Sequence, residues 1–60
     1  MYYDKNGKLI QEDDMLIFDN GCNVRVISYK NELCIDIAYT CISLNEVDLS
    51  QCEIEQRTIQ

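Results

Sequence analysis

Two Asn-Gly pairs, Asn6-Gly7 and Asn20-Gly21, set the tightest limit on what this chain can fold into. Both residue types tolerate the positive φ of a tight turn, and an Asn-Gly pair between apolar runs is a strong hairpin signal. The first pair lies between the short arms Tyr2-Tyr3 and Leu9-Ile10. The second separates Met15-Leu16-Ile17-Phe18 from Asn23-Val24-Arg25-Val26-Ile27-Ser28-Tyr29, a stretch whose β-branched and aromatic content suits a strand. Proline is absent, and Gln11-Glu12-Asp13-Asp14 makes a polar connection between the first hairpin and the second.

A third turn is expected at Lys30-Asn31-Glu32, with Asn31-Glu32 as its two central residues. Leu33-Cys34-Ile35-Asp36-Ile37-Ala38-Tyr39 follows as one strand of period two. That register sets Ser28 against Ile35, Val26 against Ile37 and Val24 against Tyr39, and gives the hairpin one apolar face. Further on, Leu44, Val47 and Leu49 are spaced for a tight helical turn, and Ser43 with Glu46 fits a capping box. The piece is too short for a stable α-helix, so a 3₁₀ turn is expected. Cys52 to Ile59 alternates and reads as a closing edge strand.

These elements add up to one all-β domain over residues 1–60. The expected architecture is a small SH3-like antiparallel barrel of about five strands with a 3₁₀ turn before the last strand, because a strongly bent barrel hides most strand edges.

A chain of 60 residues buries only about 60% of its unfolded surface, so a staple or a partner is the usual remedy. The cysteines do not offer an obvious one. Between Cys22, Cys34, Cys41 and Cys52 lie 11, 6 and 10 residues, and histidine is absent, which does not suit the close ligand pairs of a structural zinc site. The opening residues lack the apolar stretch of a signal peptide, and no run approaches a membrane span. Reduced thiols in a cytoplasmic protein are therefore expected, acting mainly as small buried hydrophobes, with no metal and no cofactor.

The formal charge of −6 opposes binding to a phosphate backbone or to anionic lipid. Catalysis has little to work with. Without histidine a general base must be a carboxylate, Lys, Tyr or Cys, and Glu12-Asp13-Asp14 sits in a connection rather than beside a nucleophile. No cation stands beside any cysteine to stabilise a thiolate, and two glycines cannot build a phosphate loop. A catalytic residue is not expected.

Tyr3-Asp4-Lys5-Asn6-Gly7-Lys8, Met15-Leu16-Ile17-Phe18-Asp19-Asn20-Gly21 and Ser43-Leu44-Asn45-Glu46-Val47-Asp48-Leu49-Ser50 together resemble short phage and prophage proteins of Gram-positive gut bacteria. The resemblance spans most of the chain and implies a small barrel and an accessory role, in phage biology or against host defence. It supplies no catalytic residues. Asp13-Asp14 stands where the resemblance leads one to expect Gly-Asp, so a different turn is expected before that strand.

The remaining signal is surplus apolar surface. The face opposite the Val24, Val26, Ile35 and Ile37 core carries Ile27, Tyr29, Cys34 and Ala38, where a half-exposed sheet should be polar. Three readings follow. The first is a non-catalytic protein-binding module, self-associating or bound to another protein, that uses the Ile27, Tyr29, Cys34 and Ala38 face. The second is an acidic mimic of nucleic acid that inhibits a host defence or DNA-binding protein through Asp13, Asp14, Asp19, Glu46, Asp48, Glu53 and Glu55. The third, an enzyme or metal protein, ranks last.

Overall fold

The computed structural model describes residues 1–55 and is built mainly from short strands. They are β1 (Met15–Phe18), β2 (Asn23–Tyr29), β3 (Glu32–Ile37), β4 (Thr40–Ser43) and β5 (Cys52–Ile54). All pair antiparallel, in the order β4-β3-β2-β1-β5. Two successive 3₁₀ turns, Leu44–Glu46 and Leu49–Gln51, carry the chain from β4 at one side of the sheet to β5 at the other. The all-β class, the five strands and the 3₁₀ element before the last strand match the sequence expectation. Closure into a barrel does not: β4 and β5 share no ladder, and the sheet stays open between them.

β2 makes the sheet fold over itself. Its first half, Asn23 to Arg25, pairs with β1, whereas its second half, Val26 to Tyr29, pairs with β3. The two ladders thus share one strand and wrap a common concave side. Leu16, Val24, Val26, Ile35 and Cys52 are buried there, closed over by Ile10 from the N-terminal segment and Leu44 from the first 3₁₀ turn. Ile37 lies on the same side, yet it is 36% exposed because it sits at the open end. Three of the four expected core residues of the central hairpin are therefore buried, and Ile37 is not.

Both Asn-Gly pairs form turns. Gly21, at φ 93°, closes the three-residue loop Asp19-Asn20-Gly21, with its N–H donating to the Phe18 carbonyl at 2.8 Å. Gly7, at φ 81°, turns the N-terminal segment so that Tyr3 bridges Leu9, a single bridge because the arms are short. Before β1, Asp13 adopts φ 75°, the left-handed backbone that a glycine at this position would take without strain.

Two expectations need correction. The β2–β3 turn is centred on Lys30-Asn31 at φ 53° and 66°, and the pairs are Val26 with Ile35 and Tyr29 with Glu32. A tight hairpin turn needs positive φ at both central residues, which Asn31 accepts more readily than Glu32. The expected register is therefore off by two residues, a slip that keeps every side chain on its face. The second correction is larger. Residues 33–39 are not one strand: β3 ends at Ile37, and Ala38-Tyr39, at φ 48° and 68°, form a second tight turn. Thr40 to Ser43 then returns along β3 as β4, which leaves Tyr39 at a turn tip and not opposite Val24.

The predicted 3₁₀ turn becomes two. The Ser43 hydroxyl accepts from the Asn45 N–H at 3.4 Å, and the Asp48 carboxylate accepts from the Ser50 N–H at 3.2 Å. Of the predicted closing strand, Cys52–Ile54 is extended, and residues 56–60 lie outside the described residues.

The outer side of β5 is sealed by the N-terminal segment. Asp4 is buried, and its carboxylate accepts the N–H groups of Asn6 and Lys8 on one oxygen and of Ile54 on the other, each at 2.9 Å. The Lys5 N–H adds a bond to the Cys52 carbonyl, also 2.9 Å. Burial alone would push the Asp4 carboxyl up. The amides of Ile54, Lys8 and Asn6 outweigh it and hold the group below the usual Asp range.

Candidate functional site

An apolar groove of about 280 Å³ lies at the open end of the concave side. Its position follows from the register. β1 ends and β2 begins at this end, and the β3–β4 turn lies there too. Phe18 comes from the end of β1, Val24 from β2, Ile35 and Ile37 from β3, Ile42 from β4, and Val47 from the segment after the first 3₁₀ turn. Asn20, Cys22 and Glu46 complete the wall, so Glu46 is its one charged residue. Phe18, Ile42 and Val47 are half-buried and Ile37 is exposed, so the groove keeps apolar surface open to solvent.

Tyr39 comes two residues beyond the groove residue Ile37 and is fully exposed on the Ala38-Tyr39 turn. Neither Ala nor Tyr is at ease at positive φ, and the left-handed conformation costs a non-glycine residue about 1 kcal/mol. A strained turn that holds a large aromatic side chain in solvent is costly for folding and useful for contact.

The patch expected from sequence is only partly assembled. Ile27 pairs directly with Cys34 on the convex side, and Tyr29 stands two residues beyond Ile27 on the same strand. Ile27 is half-buried and Cys34 is only 5% exposed, so Cys34 offers little to a partner. Tyr29 is 54% exposed, with the Lys30 ammonium 5.3 Å from its ring centre. Ala38 belongs to the turn at the far end of β3 from Tyr29 and does not extend the patch.

The cysteines divide cleanly. Cys34 and Cys52 are buried, Cys22 and Cys41 are exposed, and all four thiols are free. Burial pushes the Cys34 and Cys52 thiols up, and neighbouring acids such as Glu32 and Asp4 push the same way. Neither is poised as a nucleophile. Among the described residues no group of three or more Cys, Asp or Glu is arranged to hold a metal ion, and no helix is long and apolar enough to cross a membrane.

The seven acidic residues singled out in the sequence do not gather at one place. Asp13, Asp14 and Glu55 lie at the Met15 end of β1, where the Glu55 N–H bonds the Met15 carbonyl. Asp19 and Glu53 flank the Lys5 ammonium at 2.8 and 3.8 Å. Asp48 caps the second 3₁₀ turn, bonding the Ser50 hydroxyl and N–H and the Gln51 amide, which hold its carboxyl below the ordinary range. Glu46 alone lines the groove.

Sequence reasoning missed Phe18, Ile37, Ile42, Val47 and Tyr39 as surface features. The available signal was Ile37 itself, an apolar residue beyond the point where the opposite strand can cover it. Comparison of the chain with protein-family models, with curated proteins and with solved structures yields no match.

Proposed function

We propose that this chain is a non-catalytic protein-binding module, and that its docking site is the concave groove rather than the convex Ile27 and Tyr29 patch. One observation carries the reading. Six apolar side chains from four strands and the 3₁₀ connection converge on an open groove, and the exposed Tyr39 follows the groove residue Ile37 by two positions on a strained turn. Recognition sites concentrate energy where aromatic and aliphatic groups meet in a depression with a polar rim. The groove has the volume for one or two apolar side chains of a partner, and no titratable pair beside it offers chemistry. The acidic-mimic reading finds less support, because Asp14, Asp19 and Asp48 engage the chain itself and the acids lie at opposite ends of the molecule.

The test compares capture by the intact protein with capture by Val47→Asp and Tyr29→Asp variants, using lysate of the source organism. Each variant is first shown to be folded by circular dichroism. A protein retained by the parent and by Tyr29→Asp but lost by Val47→Asp is the expected result. Loss with Tyr29→Asp alone moves the site to the convex side.

A further inference from the structure

The groove opens beside the β4 edge of the sheet, which no strand covers among the described residues. β4 pairs with β3 on one side, and among the described residues its other side has no strand. The Ala38-Tyr39 turn is a two-residue loop, so Ile37 and Thr40 form a hydrogen-bonded pair and the pairs alternate from there. Ile35 with Ile42 is again a bonded pair. The N–H and C=O of Cys41 and the N–H of Ser43 therefore point outward, away from β3, whereas the Ser43 carbonyl belongs to the 3₁₀ turn that Ser43 caps. β4, Thr40-Cys41-Ile42-Ser43, has no charge, no proline and no bulge, the devices that usually blunt an exposed edge.

Edge and groove are linked by Ile42. Its side chain lines the groove, so a strand added along β4 would place the residue opposite Ile42 on the groove side, against Ile42 and Val47. Residues to either side of it would point to the convex side, where the Glu32 carboxylate already reaches the Ser43 hydroxyl at 3.1 Å and Asp36 stands opposite Cys41.

Charge selects the occupant. From Asn31 to Gln56 the chain has six acids, Glu32, Asp36, Glu46, Asp48, Glu53 and Glu55, and no Lys or Arg. The preceding thirty residues are nearly balanced, with five acids and four bases. All of β3, β4 and the groove-side 3₁₀ connection thus belong to the acidic part. A second copy would bring the same acids against these, and pairing of two four-residue edges falls far short of the roughly 800 Å² per partner of a stable interface. β5 itself runs from the Phe18 end towards the Met15 end, away from the groove.

Resting on the groove reading above, we infer that the partner presents an extended, basic peptide segment. It adds as a sixth strand to the outer edge of β4, seats one large apolar side chain in the groove, and places Lys or Arg beside Glu32, Asp36 and Glu46.

The test is selection of a random heptapeptide library on the immobilised full-length protein, followed by titration of synthetic enriched peptides. Enrichment of peptides with one large apolar residue flanked by Lys or Arg is expected, and their affinity should fall at least tenfold with raised salt. N-methylation of the peptide backbone should cost tenfold or more at alternate positions and little between them, and it leaves the folding of the protein untouched. On the protein side, Cys41→Pro removes one outward N–H and should weaken binding tenfold or more, whereas Cys41→Ala should not. Several results overturn the inference: no enrichment over bare support, enrichment of acidic or uncharged peptides, or methylation effects without alternation. A protein that is dimeric by light scattering, with slow exchange at the Cys41 and Ser43 amides, makes the occupant a second copy and also overturns it. Loss of binding in Val47→Asp with none in Cys41→Pro removes the added strand but keeps the groove. Enriched peptides indifferent to both variants remove the groove as well.

Discussion

The two edges of this sheet are finished in opposite ways. Along β5 the N-terminal segment supplies a buried carboxylate and a backbone donor, and the Ile54 N–H and the Cys52 carbonyl both find partners. Along β4 the outward N–H and C=O of Cys41 and the N–H of Ser43 have no strand partner among the described residues. This sheet does not close into a barrel, so each edge must be covered, blunted or used. The comparison teaches that one edge is covered by the N-terminal segment, Met1 to Ile10, and that among the described residues the other has no covering strand and lies beside an apolar groove.

The sealed edge should be the easiest to break. Asp4→Ala leaves three backbone donors without their acceptor in a buried setting, and a loss of roughly 3 kcal/mol is expected by urea denaturation. Asp4→Asn should cost somewhat less, because its amide oxygen still accepts the Asn6 and Lys8 N–H groups and only the Ile54 N–H, facing the NH₂, loses its acceptor. The same carboxylate ties the edge to pH. Its folded pKa is depressed, so its contribution is fully present above the ordinary Asp value, near 4, and fades as pH falls through the lower folded value. The stability difference between the parent and Asp4→Asn should thus be constant from about pH 5 upward and shrink in stronger acid.

The open edge should respond in the other direction. Replacing the strained Ala38-Tyr39 turn by Asn-Gly is expected to stabilise the fold by about 1 kcal/mol while weakening binding at the groove, because Tyr39 is lost. A gain in stability with binding unchanged would show that Tyr39 is only a turn residue. Thiol chemistry offers a gentler probe. Iodoacetamide should modify Cys22 and Cys41 in the native protein at least tenfold faster than Cys34 and Cys52, read by mass spectrometry, and a bound peptide should slow both Cys41 at the paired edge and Cys22 in the groove wall. The smallest effect is expected at Lys5. Its ion pairs with Asp19 and Glu53 are solvent-exposed, and Lys5→Ala should leave the unfolding midpoint nearly unchanged.

Where the chain carries Asn-Gly, the fold was legible. The loops at Gly7 and Gly21, the strands flanking Gly21 and the faces of β2 and β3 all follow from turn chemistry and period-two alternation. Ala38-Tyr39 has no such mark, since only the tertiary fold pulls those residues to positive φ, and β4 was hidden with it. The groove was hidden for the same reason, because Ile42 joins it only once β4 exists. The sealing of β5 depends on bonds between Asp4 and Ile54 and between Lys5 and Cys52, separations that no local pattern encodes. Convex Ile27 and Cys34 were visible as apolar residues on the wrong face. Their mutual burial as a cross-strand pair was not, because it depends on the corrected register.

Amide hydrogen exchange of the free protein compares the two edges in one measurement. The Ile54 amide, held by the Asp4 carboxylate, should exchange slowly, and the outward Cys41 and Ser43 amides should exchange close to the rate of an unstructured chain. Protection at Cys41 and Ser43 equal to that at Ile54 would mean that the second edge is already covered, and would contradict the open edge on which the binding proposal stands.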